Sequence, residues 1–341
     1  MTEIDVQVND TDPLSWNDLL SKSRPDIYNI YQTREWAILR KRADGLIPIF
    51  IRIEDRSELC GGQLYFKMRT FKALAAYSSL GGPICANGQS EKLTASIVHN
   101  MLANGRHSLY IRARPGIASA SKEEFIKNKF TNFPVHFILV SIEHDEDELW
   151  RRLKKNARQG VEKAEKNDII VKEADTWKLW FDFYKIYTQH CLRKGLEFKN
   201  LIFFRELYEQ FLPKMMVKLF VALYNDMVIA GGLFLCYDKV MAYHINASDN
   251  EYIKYSPNDL ILWNAILWGR RNGFGTIDMD DTWPDPKSPH FGIHKFKDKW
   301  GGRLMEGNVY YHGDICLLGK NIIKRKNTFV DNNIKLINSL F

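Results

Sequence analysis

A lone carboxylate, a cluster of lysines and a dense run of basic residues are the features of this 341-residue sequence whose types and spacing could do chemistry. Asp278 lies between apolar Ile277 and Met279 on a short predicted strand, with Asp280 and Asp281 beyond it. A carboxylate at a strand end facing a cleft could orient or deprotonate an incoming amine, or it could simply cap the following loop. Lys295, Lys297 and Lys299 follow shortly after. A protonated lysine in a dry cleft stabilises an oxyanion more strongly than in water, whereas on an open turn it is only solvated charge. His290 and His294 have the spacing of a metal pair on a helix, but Pro284, Pro286, Pro289 and Gly292 argue against a helix there. Neither a metal nor a cofactor is expected.

The stretch Trp150–Asn167 carries Arg151, Arg152, Lys154, Lys155, Arg158, Lys163 and Lys166 against Glu162 and Glu165. Such a face could meet tRNA phosphates or anionic lipid, or it could be a plain solvated surface. The net charge of +7 permits a polyanionic partner without requiring one. The sequence holds no nucleophile elbow, Walker loop or dinucleotide fingerprint.

These residues need elements to position them. One helix is predicted from Asp145 to Asn167, with Asp145 and Glu148 as a capping box and Leu149, Leu153, Ala157, Val161 and Ala164 at helical spacing. Further helices are predicted around residues 177–190 and 203–211. Three strands then read as an antiparallel meander, Met216–Leu223, Val228–Cys236 and Val240–Ala247, with turn-forming Asn225-Asp226 and Asp238-Lys239 at the joints. A helix opened by Ser256-Pro257 runs to about Arg271, Gly273 lies past its end, and a strand follows at Gly275–Met279.

The first half repeats this order: strands at Leu46–Ile53, Gln63–Met68 and Leu74–Ser79, a helix over Glu91–Leu102, and a strand at His107–Arg112. A length of 341 residues suits two domains, and the composition is that of a soluble globular chain. The opening residues lack a signal-peptide pattern, no apolar run spans a membrane, and five cysteines form no CxxC pair, which together point to the cytoplasm. The basic, amphipathic segment Lys320–Leu340 could cover a face of the first half or lie on a membrane.

The ordered motifs of the second half resemble the Fem family of nonribosomal aminoacyltransferases. They are Ala247-Ser248, Tyr252 or Tyr255, Pro257, Trp263, Gly273, Asp278, Phe296-Lys297 and Gly301-Gly302. Arg158 with Lys163-Ala164, Thr188 with Arg193, and Gln32 with Trp36 are similar to further family segments, so the likeness runs from about Gln32 to Gly302. The resemblance implies an α+β fold of two tandem GNAT-like domains, each a mixed, mainly antiparallel sheet flanked by helices. The expected division is 1–143 with a returning tail 318–341, and 144–317.

It also implies transfer of an amino acid from aminoacyl-tRNA to a lipid-linked or nucleotide-linked peptidoglycan precursor, at or near the inner membrane face. Lys297 then stabilises the oxyanion, Asp278 assists the amine, and Phe296 stacks against the acceptor end of tRNA. Arg193 grips a diphosphate, with Arg40, Lys41, Tyr243 and Arg158 as further substrate-binding candidates. Two alternatives stand beside it: an acyl-CoA enzyme of the same fold, and a non-catalytic RNA- or membrane-binding module. Arg270-Arg271-Asn272-Gly273-Phe274-Gly275 matches a CoA-pyrophosphate pattern, but it ends a helix instead of opening one, and YIKYSPND holds no glycine.

Overall fold

The computed structural model describes residues 4–9, 16–22, 29–55, 58–68, 76–86, 90–103, 108–114 and 117–312. They group into two compact units, one of residues up to Val135 together with Glu306–His312, the other His136–Met305.

The first unit contains strands β1 (Ile4–Asn9), β2 (Ile47–Asp55), β3 (Glu58–Met68), β4 (Ala76–Leu80), β5 (Ile84–Cys85) and β6 (Ser108–Ala113). Neighbours from β1 to β4 are antiparallel, β5 pairs with β3, and β4 and β6 are parallel, with the helix Ser90–Ala103 in the crossover. Asn308–His312 of the final strand run antiparallel to β6. The helices are α1 (Trp16–Lys22), α2 (Arg34–Asp44), α3 (Ser90–Ala103) and α4 (Ile117–Lys127). Ile51, Tyr65, Leu93, Ile97, Ile111, Phe125 and Tyr310 form the core. The expected strands and helix of the first half are present, and β1, α1 and α4 are additions to it. The sequence of α4, IASASKEEFIK, carries too narrow an apolar stripe to announce itself.

The Gln32–Trp36 pair has a structural role at the entry to α2. Thr33 caps that helix, its hydroxyl accepting the Trp36 N–H at 3.1 Å. Gln32 is fully buried, and its amide joins two strands, β3 and β4. Its Oε1 accepts the Leu64 N–H at 2.7 Å, and its Nε2 donates to Ser79 Oγ at 3.1 Å and to the Leu80 carbonyl.

The second unit is built on β7 (Thr131–Ser141) from His136 onward, β8 (Ile170–Glu173), β9 (Val217–Tyr224), β10 (Met227–Tyr237), β11 (Val240–Ser248) and β12 (Thr276–Thr282). The order is β7-β12-β11-β10-β9-β8. Only β11 and β12 are parallel. The helices are α5 (Glu146–Arg152), α6 (Lys155–Lys166), α7 (Trp177–Lys194), α8 (Leu201–Glu206), α9 (Pro257–Arg271) and α10 (Phe291–Asp298).

The meander is as expected, with Asn225, Asp226 and Asp238 at φ of 48°, 59° and 52° in its turns. Helix α9 is the crossover that the parallel pair needs. Successive residues of β10 face opposite sides of the sheet. A Cβ on Gly231 would meet Phe183 of α7, and one on Gly232 would meet Ile261 of α9, so these helices cover opposite faces.

Three expectations change. The single helix over Asp145–Asn167 is two, because Leu153 and Lys154 are extended, with ψ of 138° and 154°. The Lys154 N–H leaves the helical ladder for the Lys299 carbonyl at 2.9 Å. The helix predicted over 203–211 starts at Leu201 and passes into a π-helical turn, Leu207–Phe211. A helix does form in the proline-rich stretch, but it opens at Phe291, beyond Pro289, the last proline. The segment Lys320–Leu340 and the tail 318–341 lie outside the described residues. Among the described residues no helix is long and apolar enough to cross a membrane.

Gln32→Leu keeps the bulk of the side chain but strands the Leu64 N–H and the Leu80 carbonyl. A loss of about 2 kcal/mol in chemical denaturation is expected, from a typical cost of ~1–3 kcal/mol for an unsatisfied buried group. An unchanged midpoint would remove Gln32 as the tie between these strands.

Candidate active site

Sheet pairing fixes Asp278 in the second unit. It pairs with Ala242 of β11 and Leu139 of β7, and the β7 register then slips before Asp281. The slip is a bulge, with Asp280 in left-handed backbone at φ 62°. The Asp280 N–H donates to Asp278 Oδ1 at 2.7 Å, so the Asp278 carboxylate, 2% exposed, braces the bulge. This local bend turns the Asp281 carbonyl toward α10, where it accepts the Lys297 ammonium at 2.6 Å. Asp278 and Lys297 thus belong to one construction, with the acid holding the backbone that seats the lysine.

Helix α10 is short and exposed on one side. His294 Nδ1 lies 3.0 Å from Thr282 Oγ1, and His290 packs beside the Trp283 ring at 4.9 Å. The described residues contain no group of three or more metal-ligating side chains. Past the helix, Trp300 is buried, with Phe296 edge-on to it at 6.4 Å. Gly301 follows at φ 75°, where a Cβ would sit 2.6 Å from the Arg152 carbonyl oxygen. The glycine of this pair is required by geometry.

One ion pair of the site has no signature in the local sequence. Lys299 forms an ion pair with Asp259, in the first turn of α9, with side chains only 12% and 9% exposed. The Lys299 ammonium also lies over the Phe296 ring at 4.6 Å. Space for the carboxylate comes from α6, since a Cβ on Gly160 would stand 2.6 Å from Asp259 Cγ. Burial pushes the Asp259 carboxyl above its ordinary range, and Lys299 opposes that shift without cancelling it. The signal that could have exposed the pair is Gly160, a glycine inside a predicted helix, where it costs stability unless something packs against it.

Arg193 stands at the end of α7, its guanidinium 3.4 Å from both the Ser248 carbonyl and His190 Nδ1. Ser248 Oγ accepts from Asn258 Nδ2, in the first turn of α9, at 2.7 Å. Arg193, Ser248 and the start of α9 are therefore together. Burial depresses the His190 pKa, and Lys194 and Arg193 add to that shift.

Of the remaining candidates, Arg158, Tyr243 and Arg40 are held in structural contacts and Lys41 is exposed. Arg158 caps α5 by donating to the carbonyls of Trp150 at 3.4 Å, Arg151 at 3.3 Å and Leu153. Tyr243 is buried against Phe234, ring centroids 5.0 Å apart, and burial and Asp259 both raise its pKa. In the first unit Arg40 is 2% exposed, ion-paired with Asp44, with its guanidinium 5.7 Å from the ring centres of both Trp36 and Phe66. The Arg270–Gly275 pattern ends α9 as expected, with Gly273 at φ 79°.

Asp259→Ala removes the counter-charge of Lys299 together with the buried bulk beside Gly160, and is expected to cost about 3 kcal/mol, at the lower end of the range for breaking a buried pair. The linkage has a definite sign. A native pKa above 3.8 means that the folded state holds the proton more tightly, so this carboxyl contributes most stability at low pH and loses it as pH rises through the raised value. Denaturation midpoints from about pH 4 to pH 7 should show this slope in the wild type and not in Asp259→Ala.

The chain matches the acetyltransferase (GNAT) domain family over residues 151–281. It is 31% identical over 84 residues to the lipid II:glycine glycyltransferase of Staphylococcus haemolyticus, covering 24% of this chain and 20% of that protein. The chain thus spans about a fifth of the length of the curated relatives it matches. Among solved structures, FemX superposes with a TM-score of 0.74 at 15% identity, covering 91% of this chain and 98% of that one. A tandem GNAT protein from the clavulanic acid biosynthesis pathway superposes with a TM-score of 0.51 at 10% identity, covering 91% and 98%. These two likenesses concern the fold. They give the chain an α+β fold like that of these GNAT-type proteins, with the GNAT domain itself matched over residues 151–281.

Proposed function

We propose that this chain is an acyltransferase that moves an amino acid from aminoacyl-tRNA to the peptide of a peptidoglycan precursor. The observation that carries the reading is the seating of Lys297. Its ammonium is held on the Asp281 carbonyl at a bulge braced by Asp278, one residue from the Phe296 ring. The relatives named lipid II:glycine glycyltransferase support the acceptor class and an amino-acyl cargo.

In this reaction the acceptor amine attacks the ester carbonyl carbon of the aminoacyl-tRNA. The C–N bond forms, the carbonyl becomes an oxyanion, and Lys297 donates a hydrogen bond to it. Collapse breaks the C–O bond to the ribose, whose oxygen leaves with a proton that the amine has lost. Phe296 stacks against the acceptor end of the tRNA. Arg193, beside Ser248 and the start of α9, holds the precursor's diphosphate. Asp278 acts as a positioning residue.

The turn into α9 favours this donor over acyl-CoA. In GNAT-type CoA binding the pyrophosphate rests on a helix N-terminus entered through a glycine-containing turn. Here the entry, YIKYSPND, holds no glycine.

The test is transfer of radiolabel from a mixed aminoacyl-tRNA pool to lipid-linked and nucleotide-linked muropeptides. Wild type should transfer, and folded Lys297→Ala should be about 100-fold slower, the usual loss for one oxyanion donor. Turnover of acyl-CoA with no transfer from any charged tRNA would overturn the proposal.

A further inference from the structure

Soluble chains scatter exposed apolar side chains singly, and a local concentration of them marks an interface. Leu192–Ile202, reading LRKGLEFKNLI, is such a concentration. Leu192 is 66% exposed, Leu196 39%, Phe198 42% and Ile202 52%, all within eleven residues joining α7 to α8.

The backbone beneath them is fixed. Gly195 takes left-handed backbone at φ 62°, and the Leu196 N–H returns to the Cys191 carbonyl at 2.9 Å. The Lys199 N–H donates to the Tyr187 hydroxyl at 3.0 Å, and Asn200 caps α8 by accepting the Phe203 N–H at 2.9 Å. Cys191, Phe203 and Phe204 are buried below. The outward side chains therefore ride on an ordered double turn anchored in the core.

Charge complementarity decides what covers them. Arg193, Lys194 and Lys199 are interleaved with the apolar residues, against the single acid Glu197. Aliphatic tips between cations fit a surface with phosphates outside and hydrocarbon within. A nucleic-acid backbone would use the cations but gives Leu192, Leu196 and Ile202 nothing to bury against. We infer that Leu192–Ile202 is a docking turn for an anionic lipid bilayer, with the four apolar side chains entering the headgroup region and the cations at its phosphates. Arg193 belongs to this turn and also reaches Ser248. On the function proposed above, the turn would present that site to a lipid-linked acceptor instead of a nucleotide-linked one.

Flotation with vesicles separates the possibilities and needs no enzymatic activity, so its failure is distinct from failure of the proposed reaction. The full chain should float with phosphatidylcholine vesicles containing phosphatidylglycerol and stay behind with phosphatidylcholine alone. Leu192→Glu with Phe198→Glu should weaken flotation at least tenfold with an unchanged melting temperature, since both residues are exposed. A single Ile170→Glu, exposed on β8, should float as wild type. No wild-type flotation, or equal flotation of the double variant, would overturn the inference. So would a double variant that keeps vesicle binding but loses tRNA binding in a gel shift, or that dissociates from a dimer by size exclusion. The surface would then belong to RNA or to a second copy.

Discussion

A carboxylate in the first turn of a core helix cannot stay ionised out of water unless a cation meets it, and the second unit is arranged around that demand. Asp259 projects from α9 into the space left by Gly160 on α6, and Lys299 reaches it from beyond the end of α10. The pair joins three elements that share no strand ladder. It fixes the residue two positions after Lys297, and therefore the direction from which α10 approaches β12. The Lys299 carbonyl takes the Lys154 N–H, which ends the helical ladder between α5 and α6. One buried charge thus accounts for a helix break, a helix-interior glycine and the placement of the candidate lysine.

The parts of this architecture that depend on local sequence were legible from it. Turn residues with left-handed backbone punctuate the β9–β11 meander, and Pro257 and Gly273 bound α9. Asp145 caps α5, its carboxylate accepting the Glu148 N–H at 2.8 Å. The order of elements follows from such signals because each one is set by residues a few positions apart.

What the sequence hid depends on partners far along the chain. The apolar spacing Leu149, Leu153, Ala157, Val161 and Ala164 continues evenly through Lys154, so periodicity alone predicts one helix. The competing interaction comes from Lys299, 145 positions away, and no local pattern carries it. The bulge at Asp280 is similar, being a mismatch between β12 and β7 that appears only when both strands are paired. Lys299 itself reads as one of three surface lysines until Asp259 is placed against it. Arg158 shows the converse, since a basic residue on a predicted wet face is used to close the end of the helix before it.

The use of Asp278 has a consequence for the proposed chemistry. A carboxylate that is 2% exposed and accepts the Asp280 N–H is tied to the shape of the bulge. A general base must reach the proton that it removes, and the bracing role holds this one within its own strand. The attacking amine, near an ordinary pKa of about 10 when free, must therefore arrive deprotonated or lose its proton within the tetrahedral intermediate. There the departing ribose oxygen is adjacent to the new ammonium and becomes the stronger base as its bond to carbon lengthens. In the proposed reaction a direct or water-relayed transfer between them takes the place of a base at Asp278. The work left to the protein is to hold the two substrates in register and to stabilise one oxyanion, and a lysine seated on a backbone carbonyl suits that task.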